Sequence, residues 1–137
     1  MHKLSMDRCQ QILNGVVKKV KQDGGNPVAI VICDCAGAIV ALLKMDGVPA
    51  RCVHFAQHKA YTAARMQTST DLFFARLRQE QLDISYFCDS NLTPLPGGAP
   101  IIAIDGTMLG SVGISGRPSE EDQQLANMAA GFSFNDK

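Results

Sequence analysis

Residues 96–116 constrain this 137-residue chain more than any other stretch. They read as a glycine-rich loop at Gly97-Gly98, an apolar strand, a tight turn at Asp105-Gly106 and a second strand carrying Gly110 and Gly113. Asp-Gly between two apolar runs is the strongest short-range hairpin signal, and it predicts a type I′ turn with positive φ at both central residues. Gly110 and Gly113 withdraw side chains where something approaches the sheet closely. That partner is either a packed helix or a ligand, and the function depends on which.

The rest of the chain alternates between the two structural periods. Ser5 is placed to cap a helix running to about residue 22, with Ile12, Leu13, Val16, Val17 and Val20 as its apolar stripe and Asp23-Gly24-Gly25-Asn26-Pro27 ending it. Residues 28–33 form a continuous β-branched run, as expected of a strand covered on both faces. Asp34-Cys35-Ala36-Gly37 turns the chain and residues 38–44 return as the partner strand, before Met45-Asp46-Gly47-Val48-Pro49 breaks the pattern.

A second helix spans about 51–66, with Val53, Ala56, Ala60, Ala63 and Ala64 as a narrow stripe suited to close packing. A third spans about 71–81, with Leu72, Phe73 and Leu77 inward; residues 82–96 give no regular pattern beyond a short mixed segment at 84–88. Ser119 and Asp122 resemble a capping box opening the last helix, whose core face is Leu125, Met128 and Ala129. The order α-β-β-α-α-β-β-α predicts a single α+β domain, an antiparallel sheet with helices packed on its faces.

Composition narrows the function. Thirteen basic and thirteen acidic side chains give no net charge, so nothing draws the chain to nucleic acid or an anionic membrane. No run is long enough to cross a bilayer, and no signal-peptide pattern is visible, since Asp7, Arg8, Gln10 and Gln11 interrupt the first apolar cluster. Five cysteines follow no disulfide-scaffold spacing and fit reduced thiols in a cytoplasmic protein. Cys33-Asp34-Cys35 lacks the second pair that a four-ligand metal site needs. Ser115 sits in no nucleophile elbow, and the glycines match neither a P-loop nor a dinucleotide fingerprint.

Four patches together resemble the GlcG/HbpS-type haem-binding proteins, a family that also includes the C-terminal domain of a propanediol-utilisation corrinoid adenosyltransferase. They are Val31-Ile32-Cys33-Asp34-Cys35-Ala36-Gly37, Lys44-Met45-Asp46-Gly47, Lys59-Ala60-Tyr61-Thr62-Ala63, and Gly97-Gly98-Ala99-Pro100-Ile101 running on to Gly110-Ser111-Val112-Gly113-Ile114-Ser115-Gly116. Glu121-Asp122 and Leu125-Ala126 fit as well. The resemblance implies a homo-oligomer that binds haem or a related tetrapyrrole. In some members the haem ligand is a histidine on the first helix. Here that stretch offers Cys9, with His2 ahead of it.

The expected ligand site lies between the second helix and the Gly97-Gly98 loop. His54 and His58, four residues apart, share a helix face; either can ligate iron, and the two together suit a divalent metal such as zinc. Lys59, beside Thr62, either pairs with Asp34 or Asp46 to hold the domain together or binds a carboxylate or propionate near Gly97 and Gly98. The backbone N–H groups of that loop form either an anion nest or a rigid turn. Two other readings stand beside haem binding. One is an enzyme on a small carboxylate or hydroxy acid, with Lys59 orienting the substrate and a histidine as acid or base. The other is a structural accessory subunit.

Overall fold

Alternation along two strands decides the architecture. On β1 (Ala29–Cys33) and β4 (Met108–Ser115), Ile30, Ile32, Val112 and Ile114 face one way and Ala29, Val31, Cys33, Ser111, Gly113 and Ser115 the other. The computed structural model, which describes residues 4–132, pairs these strands in antiparallel fashion at the centre of a four-stranded sheet. Its order is β2-β1-β4-β3, with β2 (Ile39–Lys44) and β3 (Gly98–Ile102) at the edges. The expected α+β order is borne out, with a short 3₁₀ turn at Ile84–Phe87 added before β3.

One face carries the large aliphatic core. α1 (Met6–Asp23) lays Ile12, Val16 and Val20 on it, and α4 (Ser119–Ala130) adds Leu125, Ala126 and Ala129. Ser5 caps α1 as expected, its Oγ accepting the Arg8 N–H at 3.2 Å, and Gly24 closes the helix in the left-handed region. Cys9 belongs to this core. The other face is covered by α2 (Ala50–Met66) through Cys52, Ala56 and Ala60. α3 (Thr70–Gln79) and the 3₁₀ turn enclose a satellite cluster around Phe73, Leu77 and Leu92.

Three local expectations are corrected. The turn at Asp105-Gly106 is not type I′. Only Gly106 has positive φ (+88°), with its N–H bonded to the Ala103 carbonyl and the Ala103 N–H to Thr107 O at 2.8 Å. This is the three-residue loop in which a type I turn is followed by a left-handed glycine, and the first hairpin repeats it at Asp34–Gly37. Leu72, expected inward, is 61% exposed, because the short α3 turns only Phe73 and Leu77 to its cluster. Ser119 is the first helical residue of α4 and not its cap. Pro118 takes that position, and Asp122 turns inward, its Oδ1 reaching back to the Arg117 N–H at 3.0 Å.

Candidate functional site

The glycines of the second hairpin seat a helix. A Cβ on Gly113 would stand 2.1 Å from the Ala56 carbonyl oxygen, and one on Gly98 would stand 2.4 Å from that of Lys59. Gly110 faces the neighbouring strand, where a Cβ would meet the Cys33 carbonyl oxygen at 2.2 Å. Ser111 between them donates its hydroxyl to Ala60 O at 2.6 Å. The alternative left open by the sequence therefore resolves towards packing: the space beside Gly98 and Gly113 is filled by α2, and that beside Gly110 by β1.

The loop at Gly97-Gly98 is likewise occupied from within. The Gly97 N–H donates to Gln123 Oε1 at 2.6 Å, the Gly98 N–H to Thr70 Oγ1 at 2.8 Å, and Gln123 Nε2 returns to Gly98 O at 2.9 Å. A side-chain carbonyl on α4 fills the position expected of an external anion. Thr62 is also engaged: its hydroxyl donates to His58 O at 2.8 Å and accepts the Thr93 N–H at 2.9 Å.

Lys59 finds a partner other than the two expected. Its ammonium, on a residue 3% exposed, donates to Asp122 Oδ2 at 3.1 Å and to Ile114 O at 3.0 Å; neither Asp34 nor Asp46 takes part. Burial pushes the Asp122 carboxyl above its ordinary value, and Lys59 and the Arg117 N–H pull against that rise. A second ion pair lies nearby. Arg117 grips Asp23 through both terminal nitrogens at 2.8 Å and donates Nε to Asn26 O at 2.9 Å. Arg117 and the Gly25 backbone N–H together hold the Asp23 carboxyl far below the usual carboxylate range.

The Lys59–Asp122 pair and Arg117 border a cleft of about 520 Å³. Pro27, Val48, Pro49, Phe55 and Leu95 give it apolar walls; Lys59 and Asp122 line it too, with Arg51 and Cys52 from the first turn of α2. Gly97 and Gly98 do not line it, and neither histidine does.

The histidines stand on a neighbouring face of α2. His54 is exposed and His58 half-buried, with ring centroids 4.3 Å apart. His58 Nδ1 lies 2.7 Å from the Asn91 carbonyl oxygen. A carbonyl only accepts, so Nδ1 carries the proton, and the neutral ring keeps its lone pair on Nε2. Among the described residues no group of three histidine, cysteine or acidic side chains is placed to hold a metal ion, so the zinc expectation for His54 and His58 gains no third ligand.

The cysteines divide by burial. Burial pushes the Cys33 thiol up to about 12 and raises that of Cys9, which keeps both protonated and unsuited to iron. Cys35 is exposed in the first hairpin turn, donating to Met108 O at 2.9 Å. His2 lies outside the described residues.

Sequence reasoning missed Asp122, Arg117, Gln123 and Asn91. Asp122 carried a readable signal: it precedes Leu125, Ala126 and Ala129 at helical spacing, so an acid sits on the apolar stripe of α4. Lys59 sits equally out of place beside the alanine stripe of α2. Two opposite charges on inward faces imply a buried pair.

Against known proteins, residues 4–131 match the family model described as "Haem degrading protein HbpS-like". The chain belongs to the HbpS-like family. Among HbpS-like relatives, Protein GlcG of Escherichia coli (strain K12) is 29% identical over 109 residues, covering 77% of this chain and 79% of that one. The crystal structure of a PduOC:heme complex superposes with a TM-score of 0.81 at 25% identity, over 94% of each chain. A double mutant of Streptomyces reticuli HbpS gives 0.82 at 25% identity, over 95% of this chain and 86% of that one. No helix among the described residues is long and apolar enough to cross a membrane.

Proposed function

We propose that this HbpS-like protein binds haem or a related tetrapyrrole, with His58 Nε2 as the iron ligand. The observation that carries the reading is the 2.7 Å bond between His58 Nδ1 and the Asn91 carbonyl. A ring nitrogen tied to a carbonyl fixes the tautomer and the ring orientation and leaves Nε2 ready to bind a metal. The haem complex of PduOC and the HbpS-like family description support the choice of ligand.

The donor chemistry fits at this face: a neutral imidazole, a second imidazole beside it at His54, and the ring of Phe55, 37% exposed, for the apolar macrocycle. A bound haem would supply a redox-active iron. Thr62, Gly97 and Gly98 hold the helix and loop in place in this reading, and Lys59 acts through Asp122. The outer edge of strand β2, with Ile39, Val40 and Leu42 each more than 40% exposed, supports assembly into a homo-oligomer. Five free thiols support a cytoplasmic location.

Titration with haemin tests the assignment. The Soret absorption should develop in the wild type and in His54→Ala, while His58→Ala should lose at least about tenfold in affinity, as expected for loss of an axial ligand. Equal binding by His58→Ala and wild type would reject it.

A further inference from the structure

The cleft between the first turn of α2 and the start of α4 has a lopsided supply of hydrogen-bonding groups. Each oxygen of Asp122 accepts a hydrogen bond from within the fold, Oδ2 from Lys59 and Oδ1 from the Arg117 N–H. Lys59 has spent two of its three ammonium donors, on Asp122 and Ile114 O, and Arg117 three of its five, on Asp23 and Asn26. One Lys59 N–H and two Arg117 N–H groups are thus left to donate. A molecule that brings acceptors into the cleft would satisfy them.

Charge sharpens the class. Lys59 is neutralised by Asp122 and Arg117 by Asp23. Arg51 has no ion-pair partner among the described residues, and it sits in a first helical turn that contains no acid. A cation there opposes the helix dipole, so local stability does not account for it. Between Arg51 and Lys59 lies Phe55 on the same cleft wall, with Leu95 also lining the cleft. Eight residues of helix separate the two cations, about 12 Å along the axis.

We propose that this cleft binds an organic monocarboxylate whose carboxylate pairs with Arg51, whose apolar middle lies against Phe55 and Leu95, and whose far end offers a neutral oxygen to the remaining Lys59 N–H. A charged group at the far end gains little, because Asp122 already offsets that ammonium. The cleft volume of about 520 Å³ is in the range of small-molecule sites.

Three probes separate the parts: 4-acetylbenzoate, 4-acetylbenzamide without the charge, and 4-ethylbenzoate without the ketone. Calorimetric titration reads binding, and protection of Cys52 from methyl methanethiosulfonate reads the location, in a Cys35→Ser/Cys88→Ser background that removes the exposed thiols. 4-Acetylbenzoate should bind and slow modification of Cys52; the amide and the ethyl compound should each bind about tenfold more weakly, the scale of one charge-assisted hydrogen bond. Arg51→Gln, an exposed substitution, should weaken 4-acetylbenzoate about tenfold and leave the amide unchanged. Equal binding of acid and amide, no response to Arg51→Gln, or neither heat nor protection with 4-acetylbenzoate would overturn the proposal. Haem is absent from these titrations, so the result does not depend on His58. Protection of Cys52 by haemin and not by 4-acetylbenzoate would overturn it and place the tetrapyrrole in the cleft.

Discussion

The two faces of the sheet are held by different physics. Towards α1 and α4, Ile12, Val16, Ile30, Ile32, Val112 and Ile114 are fully buried and interlock as branched aliphatics. Towards α2 the sheet presents Ala29, Val31 and Cys33 of β1 beside Ser111, Gly113 and Ser115 of β4, and the helix answers with Cys52, Ala56 and Ala60. The first face gains stability from apolar area removed from water. The second adds to a smaller apolar cluster a close backbone approach and buried polar groups that are satisfied. A face of the first kind relaxes around small changes. One of the second kind does not, which is why it can hold the Lys59–Asp122 pair at the base of a cleft.

The largest effect that would sharpen this contrast comes from Lys59→Met. It leaves the Asp122 carboxylate buried without its cation and should cost about 3–5 kcal/mol in urea denaturation. Adding Asp122→Leu should recover at least half of the loss, since replacing both members of a buried pair costs less than breaking it. Failure of the double variant to improve on the single one would mean that the pair is not an energetic unit. On the aliphatic face, Ile12→Val should cost only about 1 kcal/mol, with the core closing around one missing methyl group.

The smallest effect is one of pH. The folded protein holds Asp23 well below its unfolded value of 3.8, so this carboxylate contributes stability above that pH and loses it as the pH falls towards the folded value. Asp122 works in the opposite sense. Its raised value favours the protonated form in the folded state, a contribution present in acid and lost as pH rises through the folded value. Asp23→Asn should therefore flatten the decline in stability between about pH 5 and pH 3. An unchanged slope would show that the Arg117 clasp adds nothing at this end of α1.

Much of the fold was legible because its signals are local. Ser5 and Gly24 bracket α1, and the unbroken apolar run through β1 announces a strand covered on both faces. The turn type at Asp105-Gly106 was misread because Asp-Gly also serves as the last two residues of a three-residue loop, and only the register separates the two. The candidate site was less legible. His54 and His58 could be found by spacing, but the Asn91 carbonyl that orients His58 lies 33 residues away in an irregular segment. The partner of Lys59 lies 63 residues away on another helix, and only the inward placement of Asp122 on the apolar stripe of α4 separates it from Asp34 and Asp46. Gly113 looked equally suited to a ligand and to a helix, because a missing side chain records closeness and not the identity of the neighbour.

The central claim is that the glycine-bearing strand exists to seat α2, which leaves haem chemistry to the histidine-bearing side of that helix and not to the strand. Urea denaturation of ligand-free Gly113→Ala tests this most directly. A methyl group directed at the Ala56 carbonyl should cost about 3 kcal/mol, at the upper end for overpacking. Wild-type stability in Gly113→Ala, combined with loss of haemin binding, would contradict the account and show that the space belongs to a bound molecule.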